Sequence, residues 1–300
     1  MSADPSSVAG QPMSRIIIAA VDGSATSYRA AVWAAVAADL HGCGLHLVTS
    51  ISLPVGEIPG ELLGDTDLEL LDRDGQRIVG EAGRVVRAAA TGAAVPITTE
   101  VIREPIIDYL LDQSRHARAI AVGSRGLGAI RRGLLGSVAD AVTRHAHCPV
   151  AVIHATAAAD PLSAEKPVLV GIDGSPHSVP AVEFAFQEAS VRKVGVTALH
   201  AWTDVLGSYV PLIGWEPLRA QENELLSERL AGFGERYPDV PVRRMLVTER
   251  PAQALLQESE HAQLVVIGSR GRGGFTGMLL GSTSSTVLHN VETPTVVVRA

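Results

Sequence analysis

The sequence predicts an α/β protein built from two tandem copies of one five-stranded parallel-sheet domain, with helices on both faces of each sheet. Three observations predict it. The chain has 300 residues, about twice the usual size of a domain. It repeats itself: IIIAAVDGS (16–24) returns as VLVGIDGS (168–175), AIAVGSRGLG (119–128) as LVVIGSRGRG (264–273), and GLLGSVADAV (133–142) as MLLGSTSSTV (278–287). Within each copy, short apolar runs suited to strands buried on both faces alternate with helical stretches, the pattern of a parallel sheet.

The period is too long for a solenoid unit, so each copy is a whole domain. In the first copy IIIAAV (16–21) is the opening strand and Ala30 to Leu40, rich in alanine, the first helix. LHLVTSI (45–51) is the second strand, and residues 57–90 hold a loop and a helix. VPITTEVI (95–102) is the third strand, after which Pro105 opens a helix reaching His116. AIAVG (119–123) is the fourth strand, Leu134 to His145 the next helix and VAVIH (150–154) the fifth strand. The second copy reads alike, with strands at 168–172, 196–201, 241–247, 264–268 and 294–299. The expected layout is a disordered tail (1–14), a first domain (15–154), a linker (155–166) within HATAAADPLSAEKP, and a second domain (167–300). Met13 is an alternative start.

Composition narrows the function. Hydrophobic residues make up 46% and charged residues 19%, which suits large buried cores. A net charge of −7, spread evenly over the two halves, argues against nucleic acid as a partner. No apolar run approaches a membrane span and the N-terminus does not read as a secretory signal, so a cytoplasmic protein is expected. Two cysteines, Cys43 and Cys148, imply no disulfide framework and read as buried and structural rather than reactive.

In parallel sheets, ligands bind beyond the carboxyl ends of the strands, where strand order reverses. Two features fall there in each copy. An aspartate closes the first strand, Asp22 in VDGS and Asp173 in IDGS. Asp-Gly-Ser is good turn and helix-cap material, and the same carboxylate could accept hydrogen bonds from a ribose or base. The second feature is glycine spacing after the fourth strand: Gly123-Ser124-Arg125-Gly126, nine residues, then Gly136-Ser137, and again Gly268-Ser269-Arg270-Gly271, nine residues, then Gly281-Ser282. Glycine lets backbone N–H groups approach an anion, and the following helix starts attract phosphate. Such a pattern once is weak; twice, between strand and helix, it is much stronger.

These residues resemble the universal stress proteins, as a tandem two-domain member of actinobacterial type. Both copies meet the pattern G-x2-G-x9-G-[ST], and GSRGLGAIRRGLLGS and GSRGRGGFTGMLLGS resemble the family's ATP-binding branch. The resemblance implies a Rossmann-like sheet in the order 3-2-1-4-5, ATP in each domain with Mg²⁺ bridging its phosphates, and a homodimer paired through the last strand. It also implies a regulatory role in stress, hypoxia and dormancy through an unidentified protein partner. By position it puts adenine and ribose near Ala20, Asp22 and Ser50 in the first domain and Gly171, Asp173 and Ala201 in the second. It puts the phosphates on Gly123, Ser124, Gly126, Gly136, Ser137 and Val138, and on Gly268, Ser269, Gly271, Gly281, Ser282 and Thr283. Arg125 and Arg270 either face phosphate or are solvated. Arg131 and Arg132, matched by Thr276 and Gly277, would make the first pocket the more basic. The second strand ends as Val48-Thr49-Ser50 in one copy and Leu199-His200-Ala201 in the other, so the two sites are expected to differ.

Other chemistry finds less support. Neither a lysine-bearing phosphate loop nor a G-x-S-x-G elbow is present. His145-x-His147-Cys148 resembles a metal fragment but lacks further ligands at suitable spacing. Trp33, Trp202 and Trp215 are too scattered for a stacking platform, and LLSERLAGFGERY (225–237) reads as a core-packing helix. No residue stands out as a nucleophile or base, so a slow ATPase is the alternative to a binding protein, and a scaffold with an empty pocket the third reading.

Overall fold

The structure is a computed structural model, and it describes residues 16–52, 65–89, 95–126, 135–154, 161–201, 215–248, 250–271 and 279–299. The first half runs β1 (Ile16–Ala20), α1 (Ala25–Leu40), β2 (Gly44–Ser50), α2 (Asp65–Ala89), β3 (Ile97–Ile102), α3 (Ile106–Gln113), β4 (Ala119–Gly123), α4 (Ser137–His145) and β5 (Val150–Ile153). One helical turn, α5 (Pro161–Ala164), falls in the expected linker. The second half runs β6 (Val168–Ile172), a 3-10 turn (Pro176–Ser178), α6 (Val179–Arg192), β7 (Val196–Ala201), α7 (Trp215–Arg236), β8 (Val242–Val247), α8 (Pro251–Ser259), β9 (Leu264–Gly268), α9 (Ser282–Asn290) and β10 (Thr295–Val298). The tail 1–14 with Met13, residues 155–160 of the linker, Leu134 and Trp202 lie outside the described residues.

Each half has the strand order 3-2-1-4-5, and its strands are parallel. The halves then join edge to edge. β5 pairs antiparallel with β10, in the register Thr295↔Val152, Val296↔Ala151 and Val297↔Val150, making one ten-stranded sheet. The last-strand pairing that the resemblance assigns to a dimer is thus made inside one chain. VAVI and TVVV suit this central position, being β-branched and fully buried on both faces. Because the joint is antiparallel, the carboxyl ends of the strands point in opposite directions in the two halves.

Helices cover both faces. One core layer packs α1, α2, α6 and α7 on the sheet through residues such as Ala34, Val79, Phe186 and Leu226. The other packs α3, α4, α8 and α9 through Leu110, Val142, Leu255 and Val287. Residues 225–237 do pack into the core: Leu226 and Leu230 are buried, and Phe233 and Tyr237 lie against Phe186.

Element ends differ from the expectations for local reasons. Helix α1 starts at Ala25, not Ala30, because Ser24 caps it by accepting from Ser27 N at 3.2 Å. Strand β3 starts at Ile97, after Pro96, which has no N–H to give a ladder but whose carbonyl accepts from Leu45 N at 2.8 Å. Helix α4 starts at Ser137 because Gly136 is extended (φ −65°, ψ 152°) and forms its N-cap.

Candidate functional site

Strand order reverses between β1 and β4, and again between β6 and β9. The features singled out in the sequence meet there. After β1, Gly23 at φ +87° turns the chain, a conformation glycine adopts without strain. Asp22 Oδ1 accepts from Ser24 N at 3.0 Å, closing the turn. Its other oxygen faces the glycine loop: a methyl group on Gly126 would lie 2.4 Å from Asp22 Oδ2. The second half repeats the arrangement with Gly174 at φ +79°. Asp173 Oδ1 accepts from the amide and hydroxyl of Ser175, both at 2.9 Å, and a methyl on Gly271 would lie 3.0 Å from Asp173 Oδ2. Turn chemistry and ligand chemistry are therefore not exclusive. One carboxylate oxygen builds the turn. The other is aimed at the loop, and Asp173 Oδ2 is buried there without a hydrogen-bond partner among the described residues.

The glycine loops close on themselves. Ser124 N donates to Ile153 O at 2.8 Å, and Gly136 N to Ser124 O at 2.8 Å. The matching bonds are Ser269 N to Val298 O (2.8 Å) and Gly281 N to Ser269 O (2.7 Å). Ser124 and Ser269 are buried and serve the loop through their backbone. Ser137 and Val138 open α4, and Ser282 and Thr283 open α9. Their amides have no partner within the helix and carry the positive end of its dipole. This is a fitting place for anionic oxygens.

Gly123 has a different task. A methyl there would lie 2.9 Å from both Thr26 C and Ser27 N, so glycine lets the start of α1 pack on β4. Thr26 Oγ1 donates to Arg125 O at 2.5 Å, pinning the loop to that helix start. Sequence reasoning missed Thr26; the position is His177 in the second copy, and that mismatch was the available signal. Backbone cannot swing aside as a carboxylate can. Gly123→Ala should therefore cost about 1–3 kcal/mol of stability by overpacking, more than Gly126→Ala, whose near contact is with a side-chain oxygen. Thermal unfolding of the two variants checks this.

The remaining expected residues are placed as follows. Ala20 ends β1 and packs against the core, and at Gly171 the Leu255 side chain stands 3.2 Å from where a methyl would be. The Ser50 hydroxyl meets Glu104 O at 2.7 Å and Ser52 Oγ at 2.9 Å, tying the ends of β2 and β3 together, while Ala201 ends β7. Arg125 and Arg270 are half-buried. Arg131, Arg132, Thr276 and Gly277 lie outside the described residues.

The metal fragment does not assemble: among the described residues no three His, Cys, Asp or Glu side chains are grouped to hold a metal. His289 bonds the helix carbonyl of Ser285 at 2.6 Å. Cys43 and Cys148 are buried, and burial pushes the Cys148 thiol up to about 12, far from a reactive thiolate. Among the described residues no helix is long and apolar enough to cross a membrane.

The fold and its paired turn-and-loop sites define a class: tandem α/β proteins with an acidic turn and a glycine loop at each reversal of strand order. Residues 13–154 and 165–299 both match the description of the universal stress protein family, and the chain belongs to that family. It is 42% identical over 284 residues to universal stress protein Rv2005c of Mycobacterium tuberculosis, covering 94% of this chain and 96% of that one. It is 44% identical over 289 residues to a universal stress protein of Mycolicibacterium smegmatis, with the same coverage of 94% and 96%. Among solved structures, a universal stress protein from Archaeoglobus fulgidus shares the fold at a TM-score of 0.69, 21% identity, and coverage of 95% of this chain and 96% of that one.

Proposed function

We propose that the protein binds ATP in both halves and serves as a regulatory module in stress and dormancy, its nucleotide occupancy read by a protein partner. The observation that carries this is the double convergence of an aspartate and a glycine loop at the strand-order reversal, with one carboxylate oxygen of Asp173 buried and without a partner among the described residues. That oxygen suits a donor such as a ribose hydroxyl. The amides of Gly126, Gly136, Ser137 and Val138, and of Gly271, Gly281, Ser282 and Thr283, suit the phosphates. Mg²⁺ enters this reading through the phosphates rather than a protein cage. The aspartates are engaged in turns, which suits holding a nucleotide better than activating a water. The last strands are used within the chain, so a homodimer would need another surface.

The test uses protein purified without added nucleotide, denatured, with the released nucleotide identified by chromatography and mass spectrometry. ATP near two per chain is expected, falling sharply in Gly126→Ala/Gly271→Ala, whose fold stays intact. If none is released and calorimetry shows no heat at millimolar ATP, the binding reading is wrong and a scaffold leads.

A further inference from the structure

The two halves differ where β2 and β7 end. At the position of Thr49 in the first half the second has His200, and this histidine is 3% exposed. Its Nδ1 lies 2.7 Å from the carbonyl oxygen of Ile172, the last residue of β6 and the neighbour of Asp173. Its Nε2 lies 3.1 Å from Oε2 of Glu222 on α7. A carbonyl only accepts, so Nδ1 carries a proton and donates it. Nε2 then faces a carboxyl group. The contact is a hydrogen bond only if one further proton sits between them, as an imidazolium against a carboxylate or a neutral imidazole against a carboxylic acid. Without that proton two lone pairs oppose each other in a buried place, where an unmade bond is costly.

We propose that the His200–Glu222 bridge is a proton-dependent latch on the second ATP site, absent from the first, so that nucleotide binding by the second half weakens as pH rises. The latch ties the end of β7 to the end of β6 and to α7. Ile172 O is held on one side and α7 on the other, one residue from the aspartate aimed at the glycine loop. The elements packed around His200 also carry Arg219 on α7, Arg244 on β8, Asp173 after β6 and His177 in the 3-10 turn. Arg244 is engaged by the Ser227 hydroxyl and Asp173 by Ser175, which leaves Glu222 as the group bonded to Nε2. Thr49 is buried as well, but the first half has no titrating side chain at that position.

This inference rests on the ATP reading, and one experiment separates the two. ATP is titrated by calorimetry into the full chain carrying Gly126→Ala, which leaves the second site, at pH 6, 7 and 8.5. The same is done with Glu222→Gln and with His200→Thr added. In the Glu222→Gln protein the amide N–H donates to a neutral Nε2, so the latch closes without the extra proton. With Glu222 present, the dissociation constant should rise with pH, approaching tenfold per unit once the proton is lost, the limit for one linked proton. The Glu222→Gln protein should bind nearly equally at all three values, and so should His200→Thr, which copies the first half. An unchanged pH slope in Glu222→Gln would overturn the latch while leaving the ATP site standing. Absence of binding at every pH in the chain with both sites intact would overturn the ATP reading itself and the latch with it.

Discussion

Replacing Glu188 by alanine should destabilise the protein by about 3–5 kcal/mol, the usual cost of orphaning a buried charge. Glu188 lies on α6 with its side chain 3% exposed, and it joins the halves. His41 Nε2, at the end of α1, donates to Glu188 Oε1 at 2.6 Å, and Arg192 Nε donates to Oε2 at 2.9 Å. The chain of bonds continues outward. Arg118 donates to His41 Nδ1 at 2.8 Å. Arg192 also donates to Gln263 at 3.2 Å and lies over the Trp33 ring at 5.9 Å. His41 and Arg192 occupy matching positions in the two copies, yet Glu188 has only Ala37 opposite it. A single carboxylate therefore neutralises a joint made by both halves. His41 and Arg192 hold the Glu188 carboxyl below the ordinary glutamate range although burial alone would raise it. For a lowered carboxyl, stability is present above the unfolded value of about 4.3 and is lost as pH falls through the folded one. Urea unfolding of Glu188→Ala at neutral pH measures the effect. A loss below 1 kcal/mol would show that the β5–β10 pairing alone holds the joint.

The second large effect is also acidic but begins at higher pH. His154 follows β5, is 8% exposed, and its Nε2 has no hydrogen-bond partner among the described residues. Burial, and then Arg125 and His289, lower its pKa to about 4. The unfolded chain takes up this proton near pH 6.5, while the folded chain resists it until about pH 4. Between those values the unfolded state binds more protons, so stability falls with falling pH, by about 3 kcal/mol in all for this one group. His154→Gln should remove that slope between pH 6.5 and 4 and leave the Glu188 component below it. Denaturant unfolding at half-unit pH steps distinguishes them. A slope equal to the wild type in His154→Gln would sink the assignment. His154 touches both stories: Arg125 belongs to the first glycine loop and His289 to the helix that opens at the second.

Much of the candidate site was legible because it was written twice. Asp22 with Gly126 and Asp173 with Gly271 each pair a strand-end residue with a loop some hundred residues away, and only the repetition linked them. The sheet order followed from the resemblance, and the strands from their apolar runs. What could not be read were bonds between residues with no common period. His41 and Glu188 are 147 positions apart, and His200 and Glu222 are 22 apart on β7 and α7. Spacing also does not encode packing, such as the close approach of Thr26 and Ser27 to Gly123. Helix starts were missed wherever the signal was a cap rather than an apolar stripe, as at Ser24.

The seam between β5 and β10 has one more consequence. Two separate subunits joined along such a strand pair would part on dilution, and their pairing would track how much of each is made. Here residues 154–167 tether the halves, so the second partner is always present at the effective concentration a short tether sets. The joint is therefore as complete in a cell holding few copies as in one holding many.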